Sequence, residues 1–186
     1  MKNETKQTAG QPSAISVASG NSQAPVSEEM ELAVILSVVA QSTSICEVGE
    51  RLRPEMFSHP DYCLVYRAML ALYQHEADID MLSIEREMRR LDPEHAARLN
   101  GLGFIADRML KVRNASFIRT YAAWVIRCWV LRQAILKMTV RIGEAQRADA
   151  DVVGLLGATH KDLEKLEADA KAEAEELLAQ WQSEGA

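Results

Sequence analysis

The sequence of 186 residues contains few cysteines, few aromatic residues and no long apolar run. Its three cysteines are Cys46, Cys63 and Cys128, which lie far apart and form no CxxC pair. That spacing argues against a disulfide framework and against a zinc site, and it favours a reducing cytoplasm. No apolar run reaches the roughly 18 residues of a membrane-spanning helix, and the amino terminus has no signal-peptide core. We therefore expect a soluble cytoplasmic protein with no membrane contact.

Aromatic residues make up only 5% of the chain, whereas alanine, leucine, glutamate, arginine and methionine recur. These residues favour helices and are poorly suited to sheets. The apolar fraction of 48% is sufficient for a core, so the composition predicts an all-α fold. The formal net charge of −6 argues against nonspecific binding of nucleic acid, so we expect no contact with DNA.

The motifs of common catalytic sites are also missing. The sequence has no phosphate-binding P-loop, no GxGxxG, no GxSxG and no HExxH. The histidines share no helical turn, so no local metal site is expected. We predict no catalytic residues, no metal ligands and no cofactor. The histidines are His59, His75, His95 and His160.

Two groups of residues could instead contact nucleic acid. Arg86, Arg89 and Arg90 could meet phosphate, although a solvated helix face beside two glutamates is the more common explanation. Trp124 and Trp129 could stack on bases, although tryptophans on apolar stripes more often lie in a core or in a protein interface.

Composition divides the chain into three parts. Residues 1–26 are rich in serine, alanine, glutamine and glycine, so we expect a disordered tail with little to bury. Residues 27–112 are expected to form a small globular helical domain, whose first helix is apolar on most sides and therefore central. Residues 113–186 are expected to form a long antiparallel helical hairpin with an acidic carboxy-terminal extension. In the globular part, the predicted helices run from Ser27 to about Gln41, from Thr43 or Ser44 to about Leu52, from Pro60, from Asp80 or Ser83, from Pro93 to about Leu99, and from Phe104 to about Lys111.

The stretch from Asn114 to Arg147 is predicted to be a long helix with two apolar stripes. The first stripe alternates steps of three and four residues, as in a heptad repeat, which indicates a partner helix. We call this stripe the seam, and it comprises Phe117, Tyr121, Trp124, Cys128, Leu131, Ile135, Met138, Ile142 and Ala145. The second stripe comprises Ile118, Ala122, Val125, Trp129, Leu136 and Val140. Two adjacent stripes are too wide for one partner, and which stripe faces which neighbour stays open.

A short link at residues 149–151 separates the long helix from a second one that continues to Trp181. Because the link is short, the two helices are expected to fold back antiparallel. Residues 107–147 carry nine basic and two acidic residues, whereas residues 148–186 carry three basic and ten acidic residues, so charge favours the same pairing. We expect the hairpin to leave apolar surface for another chain. The predicted interface residues are Phe117, Tyr121, Trp124, Cys128, Trp129, Leu131, Ile135, Met138 and Ile142.

Several short stretches of this chain occur in the same order in one known family. Residues 31–36, ELAVIL, are similar to its opening E-x-A-V-L-G, with Leu36 in place of the glycine. Residues 51–57, RLRPEMF, match its R-L-R-P-E-D-F at all positions but Met56. Further similar stretches are residues 65–73, 78–83 and 149–156 and the hairpin positions Ile118, Tyr121, Ala122, Val125, Leu131 and Arg132. From about residue 28 to 167, the chain resembles the N-terminal domain of the DnaB-type bacterial replicative helicase.

The resemblance implies a small globular helical domain followed by a dimerising hairpin. Domains of this family pair through their hairpins, build the collar of a ring helicase, and receive primase and helicase-loading proteins. The family's ATPase half, with its P-loop, has no counterpart in this sequence, so no ATP hydrolysis or unwinding is expected. We expect a non-enzymatic homodimer, extendable to a higher ring assembly, that engages a replicative helicase, a primase or a helicase loader.

Two alternatives stay open at this point. The chain could be a separated fragment of a replicative helicase whose ATPase lies on another polypeptide. It could also be a helical DNA-binding regulator that uses the basic residues 107–147, although the acidic return helix should neutralise that charge.

Overall fold

The computed structural model describes residues 25–99, 102–103, 105, 117–147, 149 and 151–171. The regular secondary structure in these residues is all helical, which confirms the predicted all-α fold. None of the helices in these ranges is both long enough and apolar enough to cross a membrane. The α-helices are α1 (Glu28–Ala40), α2 (Pro60–Gln74), α3 (Met81–Leu91), α4 (Pro93–Leu99), α5 (Ile118–Ala145) and α6 (Val152–Ala170), and 3-10 helices lie at Ser42–Glu47 and Pro54–Met56.

Residues at the first turn explain why three helices begin where the sequence predicts. Pro60 occupies the first position of α2, where the N–H that proline lacks is not needed. Asp80 caps α3, because its carboxylate accepts a hydrogen bond from the backbone N–H of Ser83 at 2.8 Å. Asp92 precedes α4 and accepts from the backbone N–H of His95 at 2.9 Å. These local contacts fix the helix starts before any long-range packing is considered.

The segment after α1 differs from the helix predicted between Thr43 and Leu52. It forms a 3-10 helix at Ser42–Glu47, and a turn follows. Serine and threonine are weak helix formers, because their side chains compete for backbone hydrogen bonds. The chain then folds tightly, and the Gly49 N–H donates to the Ile45 carbonyl at 2.7 Å. A Cβ on Gly49 would lie 2.9 Å from that carbonyl oxygen, so the tight turn favours glycine.

Helix α1 lies at the centre of the core, as its apolar pattern predicts. Its residues Val34 and Ile35 are fully buried, and the helix packs against both α2 and α5. The first part of α5 belongs to the same core, with Ile118 and Ile126 fully buried. The expected domain boundary between residues 112 and 113 lies outside the described residues. Within the described part, α5 serves the globular part at its start and the hairpin at its end.

Glu31 is a buried carboxylate that connects α1 to α2. It accepts hydrogen bonds from the backbone N–H and the hydroxyl of Ser58, at 2.7 and 2.6 Å, and from the N–H of His59 at 3.1 Å. The residue is only 1% exposed. Three donors offset the cost of removing the carboxylate from water. Glu31 therefore fixes the segment that leads into α2 against the central helix.

Helices α5 and α6 form the predicted antiparallel hairpin. Asp162 of α6 pairs with Lys137 at 3.0 Å and with Arg141 at 2.7 Å. Hydrogen bonds from Arg141 and then from Lys137 lower the pKa of the Asp162 carboxyl, because they favour its charged form. One turn further along α6, Leu166 lines the same small cavity as Ala134 of α5. Residue numbers on the two helices therefore run in opposite directions.

Several predictions fall outside the described residues. They are most of the tail at residues 1–26, the cap at Asn114, most of the helix expected from Phe104 to Lys111, and the continuation of the second hairpin helix to Trp181. The described part of the chain starts at Pro25, whose carbonyl oxygen accepts a hydrogen bond from Arg132 of α5. The beginning of the described chain is thus fixed to the long helix.

Candidate protein–protein interface on the hairpin

The seam is an open apolar stripe on α5. Six of its large side chains are exposed, from 39% for Phe117 to 59% for Ile142. The other four are Trp124, Leu131, Ile135 and Met138. Three predicted interface residues lie deeper, because Cys128 is buried and both Tyr121 and Trp129 are half-buried against the core. The structure thus brings six of the nine predicted residues together on one surface.

The deeper residues contribute to the core rather than to chemistry. The guanidinium of Arg53 lies over the ring of Trp129, 5.3 Å from its centroid, and fixes it beside the globular part. Burial raises the pKa of the Cys128 thiol and of the Cys63 thiol. Both thiols are therefore protonated at neutral pH and are poor nucleophiles.

The face of α5 that meets α6 lies beside the seam and shares Met138 with it. The contact has mixed polarity, and its residues include Ala134, Lys137, Met138 and Arg141 on α5 and Asp162, Leu163 and Leu166 on α6. The cavity left between the helices is only about 10 Å³, so they pack closely. Pairing within the chain leaves most of the seam exposed, together with Leu136 and Val140 of the second stripe.

Helix α6 widens the seam into a two-helix surface. Val152, Leu156 and Leu163 are exposed, and at about 100° per residue they share one side of α6, roughly a quarter turn from its contact with α5. The seam lies roughly a quarter turn from the contact face of α5. Both quarter turns run in the direction of increasing residue number around their helix. Because the helices are antiparallel, the seam of α5 and the exposed side of α6 therefore face the same side of the hairpin. We call this surface the hairpin face, and it comprises Leu131, Ile135, Met138, Ile142, Val152, Leu156 and Leu163.

The two ends of the hairpin differ in charge. Residues 117–133, here called the foot, contain three arginines and no acidic residue. The guanidinium of Arg127 lies over the ring of Trp124, 5.3 Å from its centroid. Residues 144–156, here called the tip, contain three acidic residues and one arginine. The hairpin is therefore basic beside the globular part and acidic at its far end.

Possible metal ligands do not converge among the described residues. These residues contain no group of three or more histidine, cysteine, aspartate or glutamate side chains that could hold a metal ion. An open cleft of about 340 Å³ at the tip is lined by charged residues of both signs. Arg89 and Arg90 pair with Glu85 and Glu87, so this side of α3 is a salt-bridged surface rather than a phosphate site.

Sequence reasoning missed two features of this region. The exposed residues of α6 follow a three- and four-residue spacing, so a signal for their part in the surface was present in the sequence. Arg132 is one of the hairpin positions similar to the known family, but its contacts could not be read from the sequence. Its guanidinium donates to the carbonyl oxygens of Pro25 and Met56, which lie 107 and 76 positions away in the chain. A contact over that distance leaves no local pattern.

Comparison with known proteins agrees with this architecture. A family model described as DnaB-like helicase N terminal domain matches residues 23–127, which is more than half of the chain. A curated relative, the replicative DNA helicase DnaB of Rhodothermus marinus, is 27% identical over 143 residues. That match covers 76% of this chain but only 15% of the relative's length. The crystal structure of the N-terminal domain of DnaB helicase from Mycobacterium tuberculosis matches with a TM-score of 0.67 and 22% identity, over 77% of this chain and 99% of that chain.

Proposed function

Because this chain belongs to the DnaB-like helicase N-terminal domain family, we propose that it is a non-enzymatic pairing module that acts in DNA replication. It forms a homodimer through its hairpin and engages a replicative helicase, a primase or a helicase loader. The observation that carries this proposal is the hairpin face, whose apolar side chains remain exposed after α5 and α6 have paired. Family membership supplies the replication context.

The extent of the hairpin face favours a protein partner. Soluble monomers seldom expose large contiguous apolar patches, and such patches usually mark association sites. From Phe117 to Ile142 the exposed seam extends roughly 38 Å along α5. On two helices the hairpin face is shorter, roughly 17 Å from Leu131 to Ile142, so an interface of about 800 Å² on each partner needs the exposed seam residues of the foot as well. A second copy presents the same surface, so a two-fold dimer covers both faces at once.

Charge favours a dimer in which the two hairpins run in opposite directions. A parallel pair would place the two acidic tips together and the two basic feet together, which is unfavourable. An antiparallel pair places the tip of one copy, with Asp151, beside the foot of the other, with Arg127. The same arrangement brings a neighbour over Trp124, the exposed aromatic residue of the foot.

A DNA-binding role has less support. Arg119 pairs with Glu47 at 2.9 Å, so part of the basic charge of the foot is compensated within the chain. Lys137 and Arg141 are likewise paired with Asp162. Binding to phosphates requires cations that are free to replace counterions along the nucleic acid. The interaction with another protein is therefore the function we propose.

Leu131→Asp tests the dimer. The substitution places a charge within the proposed contact, where burying it without a partner costs several kcal/mol. We expect the native chain to be a dimer at tens of micromolar by light scattering, and Leu131→Asp to be a monomer of unchanged helical content. Leu82→Asp is the matched control, because Leu82 is 69% exposed on α3, and it should remain dimeric.

Other outcomes separate the parts of the proposal. A native chain that is monomeric at that concentration would remove the homodimer. Equal masses for the native chain and Leu131→Asp would leave the dimer but assign its contact to another surface. Binding to purified helicase, primase and loader proteins from the same cell tests the partners, and no binding to any of them would remove the replication partner.

A further inference from the structure

Arg132 lies at the point where α5 leaves the globular part. Cys128 is the last buried residue of the helix, whereas Leu131 is exposed on the seam. The helix extends roughly 20 Å from Ile118 to Arg132 and roughly 20 Å more from Arg132 to Ala145. Arg132 therefore stands at the outer edge of the part of α5 that the globular part holds.

The guanidinium of Arg132 joins two separate stretches of the chain to α5. It donates hydrogen bonds to the carbonyl oxygen of Pro25, at 3.1 Å, and to that of Met56. Met56 is the last residue of a 3-10 helix, where carbonyl groups lack partners within the helix. A guanidinium carries several N–H donors in a fixed fork and stays charged, so one side chain can serve both carbonyls with charge-assisted hydrogen bonds.

One of these stretches, residues 53–59, is fixed at both of its ends, and we call it the linking segment. At its start, Arg53 places its guanidinium over the ring of Trp129, which lies one turn before Arg132 on α5. At its end, the buried carboxylate of Glu31 on α1 accepts hydrogen bonds from two backbone N–H groups of the segment. The linking segment thus connects the central helix of the core to α5.

We propose that Arg132 is a positioning residue that sets the direction in which the hairpin leaves the globular part. Its two hydrogen bonds restrain α5 beyond Val130, the last residue of the helix that packs against the core cluster. Because α5 extends about as far beyond Arg132 as before it, a tilt about Ile118 that moves Arg132 moves Ala145 roughly twice as far. A small loss of restraint at Arg132 therefore produces a larger displacement of the tip.

The direction of the hairpin decides where the globular parts of a dimer lie. This consequence rests on the proposed function, because it requires two hairpin faces to pair. The foot and the hairpin face both belong to the hairpin, so a change at Arg132 should leave their pairing intact. The globular parts would instead move relative to the paired hairpins. Arg132 thus affects the shape of the assembly and not its strength.

Residual dipolar couplings of the full chain test the proposal. In the native chain, the backbone N–H couplings of α1, α2 and α6 should fit one common alignment tensor. In Arg132→Met, which removes both hydrogen bonds, the couplings of α6 should require a tensor of different orientation or of smaller magnitude. Arg132→Lys keeps the charge but not the fork, so we expect a change in the same direction. The matched control Arg89→Met removes an arginine that pairs with Glu85 on the surface of α3, and it should leave the common tensor unchanged.

Several results would overturn the proposal. Separate tensors in the native chain would show that the hairpin has no fixed direction. One common tensor in Arg132→Met, even with a lower thermal midpoint, would mean that Arg132 stabilises the chain without positioning the hairpin. The same change of tensor in Arg89→Met would mean that the effect is not specific to Arg132.

The conservative variant decides between geometry and charge. A native tensor in Arg132→Lys would overturn the role of the paired hydrogen bonds, and this variant alone is decisive if Arg132→Met does not fold. The couplings compare helices of one chain. A native chain that proves monomeric would therefore remove the homodimer and leave this test valid, so the two failures are distinguishable.

Discussion

The globular part and the hairpin use their apolar residues in opposite ways. In the globular part, Ile35, Met69 and Ile84 are fully buried by neighbours from the same chain. In the hairpin, Leu156 stays exposed, and the contact between the helices combines the ion pairs of Asp162 with the packing of Leu166. The globular part thus buries these apolar residues within the chain. The hairpin is held together within one chain but leaves large apolar side chains exposed.

The change from one behaviour to the other occurs within a single helix. Ile126 is fully buried in the core, whereas Ile135 on the same helix is exposed on the seam. Both residues are isoleucines on one helix, so the difference in their exposure arises from the elements that pack against each position. Substitutions at matched pairs of residues test this difference between the two regions.

The largest effect is expected at Ile126. Ile126→Ala leaves a cavity in the core and should lower the free energy of unfolding by about 2–5 kcal/mol. Ile135→Ala is the matched control and should change the unfolding free energy of the dilute monomer by less than about 0.5 kcal/mol. Urea titrations of both variants measure the difference. Equal losses of unfolding free energy at the two positions would contradict the difference in burial between the core and the hairpin.

A smaller effect separates two tyrosines of the globular part. The Tyr62 hydroxyl donates to the Glu28 carboxylate at 3.1 Å, whereas the buried Tyr66 hydroxyl has no hydrogen-bond partner among the described residues. Burial raises the pKa of Tyr66, which keeps its hydroxyl protonated. Tyr62→Phe should lower the free energy of unfolding by about 1 kcal/mol. Tyr66→Phe should leave it unchanged or raise it, and a measured loss in thermal denaturation would reveal a bound water as the missing partner.

The smallest effect concerns the ion pairs of the hairpin, because they are partly exposed. The folded pKa of Asp162 lies below its ordinary value through hydrogen bonds from Arg141 and Lys137. Its contribution to stability is therefore complete above the ordinary value of about 4 and is lost as the pH falls through the folded pKa. Asp162→Asn should flatten the fall of the thermal midpoint below about pH 4, whereas Asp169→Asn on the same helix should not. Equally steep falls in the native chain and Asp162→Asn would contradict this.

Local signals explain how much of the fold could be predicted. Pro60 and Asp80 act within one helical turn, so their effect is visible in the sequence. The 3-10 geometry of Ser42–Glu47 could not be predicted in the same way, because it accompanies the close approach of Gly49 to the Ile45 carbonyl. The roles of buried polar groups are also set by residues far away in the chain.

The sequence identifies the apolar stripe of α5 but not which of its residues the globular part buries. Heptad spacing identifies the seam, yet it also includes Cys128, which the globular part buries. The contact of α5 with α6 could not be found from apolar periodicity, because Lys137 and Arg141 make it with Asp162, which lies 25 and 21 positions further along. Burial and pairing are properties of the assembled helices, and a stripe on one helix does not contain them.

Helix α5 is continuous from Ile118 to Ala145 and is anchored in the core only at its start. Its length of roughly 42 Å makes it a stiff lever. A force on the far end of α5 is therefore transmitted to the globular part through the packed first turns of the helix. Because the helix has no break between those turns and Ala145, a molecule bound at the far end would rotate the globular part together with the hairpin.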